Sequence, residues 1–165
     1  MSSGVLVNPE CQKQFQHLEK RQLRYIIYKI EDKEVVVETA ELDASSNDYD
    51  DNSKAAFEVF VRDLKERTGG FNDCRYAVFD FKFTCSRSGA GSSKMDKIIF
   101  VQLCPDNASI KKKMVYASTA SALKAALGSA RVLQFQVSEE SEISHKEIME
   151  KLGEKYGDKK DENDD

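Results

Sequence analysis

Arg75-Tyr76-Ala77-Val78-Phe79-Asp80-Phe81-Lys82-Phe83-Thr84 alternates without a break. Ala77, Phe79, Phe81 and Phe83 fall on one side, and Tyr76, Val78, Asp80 and Lys82 on the other. That period of two is the signature of a β-strand, and the aromatic side predicts its better-buried face. Beyond a flexible Gly89-Ala90-Gly91-Ser92-Ser93 tip, Lys97–Leu103 returns as a strand that is apolar on both sides. Burial of both sides requires helices above and below, which places this strand at the centre of a covered sheet.

Working outward, Arg24–Ile30 and Val35–Glu41 read as two further strands, joined as a hairpin across Glu31-Asp32-Lys33-Glu34. A helix is predicted over Pro9–Arg21, with Asn8 as its cap and Pro9 at the first helical position. Asp43–Asp51 is an acidic loop. Asp51 or Ser53 caps the next helix, which carries Ala56, Phe57, Phe60, Val61 and Leu64 on one face and stops at Thr68-Gly69-Gly70. A long helix opens at Pro105-Asp106-Asn107 and ends at Gly128, followed by a strand over Arg131–Val137 and a helix over Ser144–Lys155. The fold class is α/β (α+β): a single domain with a central mixed β-sheet sandwiched between helices. The domain spans residues 1–157, including a flexible tail over 1–7, and an acidic, disordered tail follows over 158–165.

With 165 residues, 40% apolar and 33% charged, the chain has enough material for one real core and a well-solvated surface. No apolar run approaches the ~20 residues of a membrane span, and Met1–Val5 lacks the features of a secretory signal, so a cytoplasmic setting is expected. Cys11, Cys74, Cys85 and Cys104 form no close pair in sequence, and His17 and His145 are the only histidines, so no metal site or cofactor is expected. Buried, reduced thiols are the ordinary reading of such cysteines. Gly89–Lys94 lacks phosphate-loop spacing and precedes a strand, and no serine is paired with a positioned histidine, so the chain does not read as an enzyme. His145, at a helix start, reads as exposed.

Charge is distributed unevenly. Asn107–Ser138 holds five cations and no acid in a chain of net charge −4, so the remainder carries −9. Positive charge gathered on one helix of an acidic protein points to one face that meets an acidic partner. At 100° per residue, Tyr116, Ala120, Leu123 and Leu127 form a bulky cation-free stripe suited to the sheet. Ile110, Met114, Ala117 and Ser121 form a second stripe, fringed by Lys111, Lys113 and Lys124, suited to a partner's groove. The competing reading is a solvated helix whose lysines only confer solubility. Nucleic acid is not expected, because no aromatic platform accompanies the helix and the body is not basic.

Lys113-Met114-Val115-Tyr116-Ala117-Ser118, followed by Ala122-Leu123-Lys124, resembles the long actin-binding helix of the ADF/cofilin family. Asp73–Phe81 is similar to the family's central strand and Ser3-Gly4-Val5 to its N-terminus, and the resemblance runs to about Gly157. It implies a monomeric protein that binds monomeric and filamentous actin and promotes filament disassembly without covalent chemistry. On the monomer surface it implies Ser3, Gly4, Lys111, Lys113, Met114, Val115 and Lys124. On the filament surface it implies Lys94, Lys97, Glu150 and Lys151. Ser3 resembles the regulatory phosphorylation site, and Lys111, Lys112 and Lys113 resemble a phosphoinositide site.

The chain departs from the family pattern in places. Ala125 stands where a second cation is common and Ser121 where an acid is common. Met95-Asp96 replaces an arginine, Glu154-Lys155 replaces a clear cation, and Gly153 weakens the last helix. The monomer surface therefore reads as better kept than the filament surface. Two alternatives stand beside this reading: a related protein acting on actin-related branch complexes, and a phosphoinositide-binding module that leaves actin alone.

Overall fold

Six strands lie in the order β1-β3-β2-β4-β5-β6, in a computed structural model that describes residues 4–42, 49, 51–87, 91–128 and 132–156. Along the chain the elements are β1 (Leu6–Val7), α1 (Pro9–Glu19), β2 (Tyr25–Glu31), β3 (Glu34–Glu41), α2 (Lys54–Arg67), β4 (Arg75–Arg87), β5 (Gly91–Leu103), α3 (Ile110–Leu127), β6 (Leu133–Val137) and α4 (His145–Tyr156). A short 3-10 turn, Glu140–Ile143, precedes α4. The pairs β1–β3 and β5–β6 are parallel and the other three are antiparallel, so the sheet is mixed, as the sequence predicts.

Two cores lie on either side of this sheet. Phe57, Phe60 and Leu64 of α2 and Ile148 and Leu152 of α4 pack with Phe79, Phe81, Ile99 and Val101. On the opposite side Phe15 and Leu18 of α1 and Tyr116, Leu123 and Leu127 of α3 pack with Tyr76, Val78 and Phe100. The alternation in β4 thus delivers its two sets of side chains to two different cores. The second set is buried too, which corrects the expectation of one better-buried face: Asp80 and Lys82 are both buried. They are tolerated there because Lys82 Nζ lies 2.7 Å from Asp80 Oδ2, and 3.6 Å from Asp96 Oδ2.

The hairpin between β2 and β3 turns through Asp32 (φ 53°) and Lys33 (φ 63°), the left-handed pair of a tight turn. Asn8 Oδ1 accepts from Glu10 N at 2.8 Å and caps α1 as expected. Ser53 does not cap α2. Its hydroxyl faces inward, accepting from Arg24 Nη2 and Lys82 N and donating to Lys82 O at 2.7–2.9 Å, while Asp51 Oδ2 takes the N–H of Ala55 at 3.2 Å.

Several boundaries differ from those read in the sequence. β5 begins at Gly91, so Gly91–Ser93 belong to a strand rather than to a flexible tip, while 88–90 lie outside the described residues. Leu6–Val7 pair with β3, so the tail expected over 1–7 is already held from Leu6. Ser3 and the acidic tail over 158–165 lie outside the described residues. His145 is half-buried rather than exposed, stacked on Phe81 with ring centroids 5.7 Å apart and bonded through Nε2 to Asn52 O at 2.8 Å. No helix among the described residues is long and apolar enough to cross a membrane.

Candidate functional site

The long helix α3 starts later than its flanking proline suggests, because Ser109 caps it: the Ser109 hydroxyl accepts from Lys112 N at 3.1 Å. It ends where Gly128 adopts φ 75°, a left-handed conformation that favours glycine. Tyr116, Ala120, Leu123 and Leu127 are buried, as the cation-free stripe requires, and Thr119 joins them. Tyr116 anchors the helix twice. Its hydroxyl accepts from Ile30 N at 2.8 Å, and its main-chain carbonyl accepts from the Tyr76 hydroxyl.

The outer stripe is bare. Ile110 is 73% exposed and Met114 66%, large values for residues of this kind, and Ala117 and Ser121 are exposed beside them. Val115 and Lys113 are half-buried on the flanks. Leu6 of β1, a strand that lies against α3, is a further exposed apolar side chain, at 71%. Nothing in the sequence marks Leu6, because its exposure depends on β1 pairing at the sheet edge.

The three consecutive lysines differ in their surroundings. Lys112 Nζ lies 2.8 Å from Asp73 Oδ1, and Lys113 Nζ reaches Asp106 O at 3.4 Å. Asp73 also receives Arg75 at 3.0 Å. Burial opposes ionisation of Asp73, but the bonds from Lys112 and Arg75 outweigh it and hold its carboxyl below the ordinary value. Lys111 is exposed and has no partner among the described residues. Further along, Lys124 Nζ bonds to Gln134 Oε1 and lies 5.9 Å from the centre of the Phe100 ring. Gly4 is exposed, with φ 80°.

The other four candidate residues are divided between the two sides of the sheet. Strand alternation sends Lys94 to the α1/α3 side, where its Nζ lies 5.2 Å from the centre of the Tyr49 ring, and Lys97 to the α2/α4 side. Glu150 and Lys151 are exposed on α4, beyond the core opposite to α3. Lys94 and Leu103 stand nine positions apart on β5, so Lys94 lies about 30 Å along the strand from the end that leads into α3. Beneath Lys94, Asp96 gathers Arg21 at 2.5 Å, Lys82 at 3.6 Å and the Tyr49 hydroxyl. Single-residue reading missed this junction, which joins four segments distant in sequence.

A sequence model of cofilin/tropomyosin-type actin-binding proteins matches residues 4–153. The chain belongs to the ADF/cofilin family. It is 62% identical over 155 residues to actin-depolymerizing factor 1, isoforms a/b, of Caenorhabditis elegans, covering 90% of this chain and 73% of that protein. It is 37% identical to cofilin of Schizosaccharomyces pombe, covering 91% and 96% of the two chains. Among solved structures, the ADF-like UNC-60A protein of C. elegans superposes with a TM-score of 0.81 at 62% identity, over 95% of this chain and 99% of that one. The ADF/cofilin match runs from before β1 into α4, and so takes in every strand of the sheet described above.

Proposed function

We propose that this chain binds monomeric and filamentous actin through the outer face of α3 and promotes filament disassembly. The observation that carries the reading is the bare pair Ile110 and Met114, beside Lys111 and Lys113, on a helix whose other side is fully committed to the core. Met114 and Val115 fill an apolar cleft of the partner, and Lys111, Lys113 and Lys124 meet its acidic groups. Ser3 and Gly4 approach the same surface. Lys94, Lys97, Glu150 and Lys151 contact a second subunit of the filament. The setting is the cytoplasmic actin cytoskeleton, and the protein acts as a monomer without a cofactor.

The monomer surface is the stronger of the two. Met95-Asp96 and Glu154-Lys155 depart from the family pattern, and Lys94 lies on the other side of the sheet from Lys97, Glu150 and Lys151. Phosphorylation of Ser3 would bring roughly −1.5 to −2 charges to a surface that meets acidic actin, so Ser3→Glu weakens binding. Phosphoinositide head groups compete for the same cations, with Lys111 and Lys113 contributing more than Lys112, which Asp73 already holds.

The deciding experiment mixes the chain with polymerised actin at rising ratios and separates pellet from supernatant at high speed. Actin moving into the supernatant is the expected result, lost in a Met114→Asp variant. No shift and no co-pelleting would overturn the proposal, and stable saturating decoration of filaments would overturn the ranking of the two surfaces.

A further inference from the structure

Two cysteines far apart in sequence face each other where β4 begins and β5 ends. The antiparallel register runs through Tyr76↔Gln102 to Arg75↔Leu103, and one further step sets Cys74 opposite Cys104. Directly opposed residues lie about 4.5–5.5 Å apart at Cα, inside the ~4.4–6.8 Å that a disulfide spans. Both side chains point to the α1/α3 core, where Cys74 is buried and Cys104 packs at the margin, half-buried. The two thiols lie near enough for each to shift the other's ionisation.

The pair is chemically unequal. The neighbouring Cys74 thiol, a bond from Gln102 Nε2 at 3.9 Å and the charge of Lys113 together lower the pKa of Cys104 against the opposing effect of burial. The neighbouring Cys104 thiol, burial and the nearby Asp73 push Cys74 up. Thiolate character and access therefore coincide on Cys104, the combination that governs thiol reactivity. The other two cysteines lack it. Cys11 is fully buried, donates to Val35 O at 3.3 Å and is pushed up to about 12 by burial, while Cys85 is buried in the α2/α4 core.

We propose that Cys74 and Cys104 are a peroxide-sensitive dithiol that closes into an intrachain disulfide at the foot of α3. The Cys104 thiolate attacks one oxygen of a hydroperoxide, the O–O bond breaks, and the sulfur is oxidised to a sulfenic acid as the hydroperoxide leaves as an alcohol or water. Cys74, losing its proton, then attacks that sulfur and expels hydroxide, which the proton converts to water. Two thiols are oxidised and one peroxide is reduced. The new bond would tie Cys74, next to the Asp73 that holds Lys112, to Cys104, two residues before the Asp106 carbonyl that receives Lys113.

The test exposes the reduced full chain to hydrogen peroxide and maps its peptides without reduction. The expected product is a monomer lighter by two hydrogens, with Cys74 and Cys104 linked. It forms in Cys85→Ser and fails in Cys104→Ser. A bond involving Cys11 or Cys85, a disulfide-linked dimer, or Cys104 oxidised further while Cys74 stays free would overturn the proposal. Alkylation supplies a second readout. Iodoacetamide should modify Cys104 about tenfold faster than the other three thiols, following its thiolate fraction, and equal rates would contradict the assignment. Both readouts use the unsubstituted chain, so they stand even where a variant fails to fold.

Discussion

The Tyr76 hydroxyl donates to the main-chain carbonyl of Tyr116, and the two rings lie 5.0 Å apart. With the Tyr116 hydroxyl engaged by Ile30 N, the middle of α3 is fixed to both β4 and β2. Burial raises the pKa of Tyr116 to about 12 and that of Tyr76 higher still, so both stay protonated at physiological pH. Tyr116→Phe strands the Ile30 N–H and should cost about 1–3 kcal/mol. Tyr76→Phe should cost nearer ~1 kcal/mol, because the Tyr116 carbonyl keeps its place in the helix ladder. Urea unfolding with an unchanged slope measures both.

Lys82→Met removes the counter-charge of buried Asp80 and should destabilise by about 3–5 kcal/mol. Combining it with Asp80→Leu should restore part of the loss, since no uncompensated charge remains. Burial already raises the pKa of Asp80 above 3.8. Its ionisation penalty is therefore absent below that value, builds as pH rises from there toward the folded-state pKa, and is complete above it. The Lys82→Met deficit should shrink in acid, and denaturation across pH 3–7 checks the sign.

Asp73 has the opposite sign. Its carboxyl is held below 3.8 by Lys112 and Arg75, so its contribution is present above that value and lost as pH falls through the folded-state pKa. Lys112 is about half exposed, so the Lys112 pair contributes no more than ~1 kcal/mol. Asp73→Asn should flatten this part of the acid limb. Freed of its partner, Lys112 should then strengthen binding to phosphoinositide vesicles, which sedimentation measures.

Gly153 lies inside α4, and a Cβ there would meet nothing within 4 Å. Gly153→Ala should therefore stabilise by about 1 kcal/mol, by limiting the freedom of the unfolded chain. A rise in Tm with unchanged actin binding is the expected outcome.

The sheet and its helices were legible because the period of two in β4 and the cation-free stripe of α3 each allow one arrangement. The outer stripe was legible for the same reason, since what the core rejects must face out. Three features were not. Ser53 looks like a cap, but hydrogen bonds from β2's neighbour Arg24 and from Lys82 draw it inward. His145 looks solvated until Phe81 supplies a ring to stack on. Asp73 and Lys112 become partners only when the β4 entrance and α3 meet, a contact between residues with no shared periodicity.

The sheet keeps its two hydrophobic clusters apart, with α3 resting on one and α4 on the other. Changes on one side share few neighbours with changes on the other, and distant sites without shared partners behave nearly additively. Substitutions around Met95 and Gly153 should therefore leave the exposed Met114 face of α3 undisturbed. Such a body works like a tool with two independently replaceable ends, each side of the sheet open to change without disturbing the other.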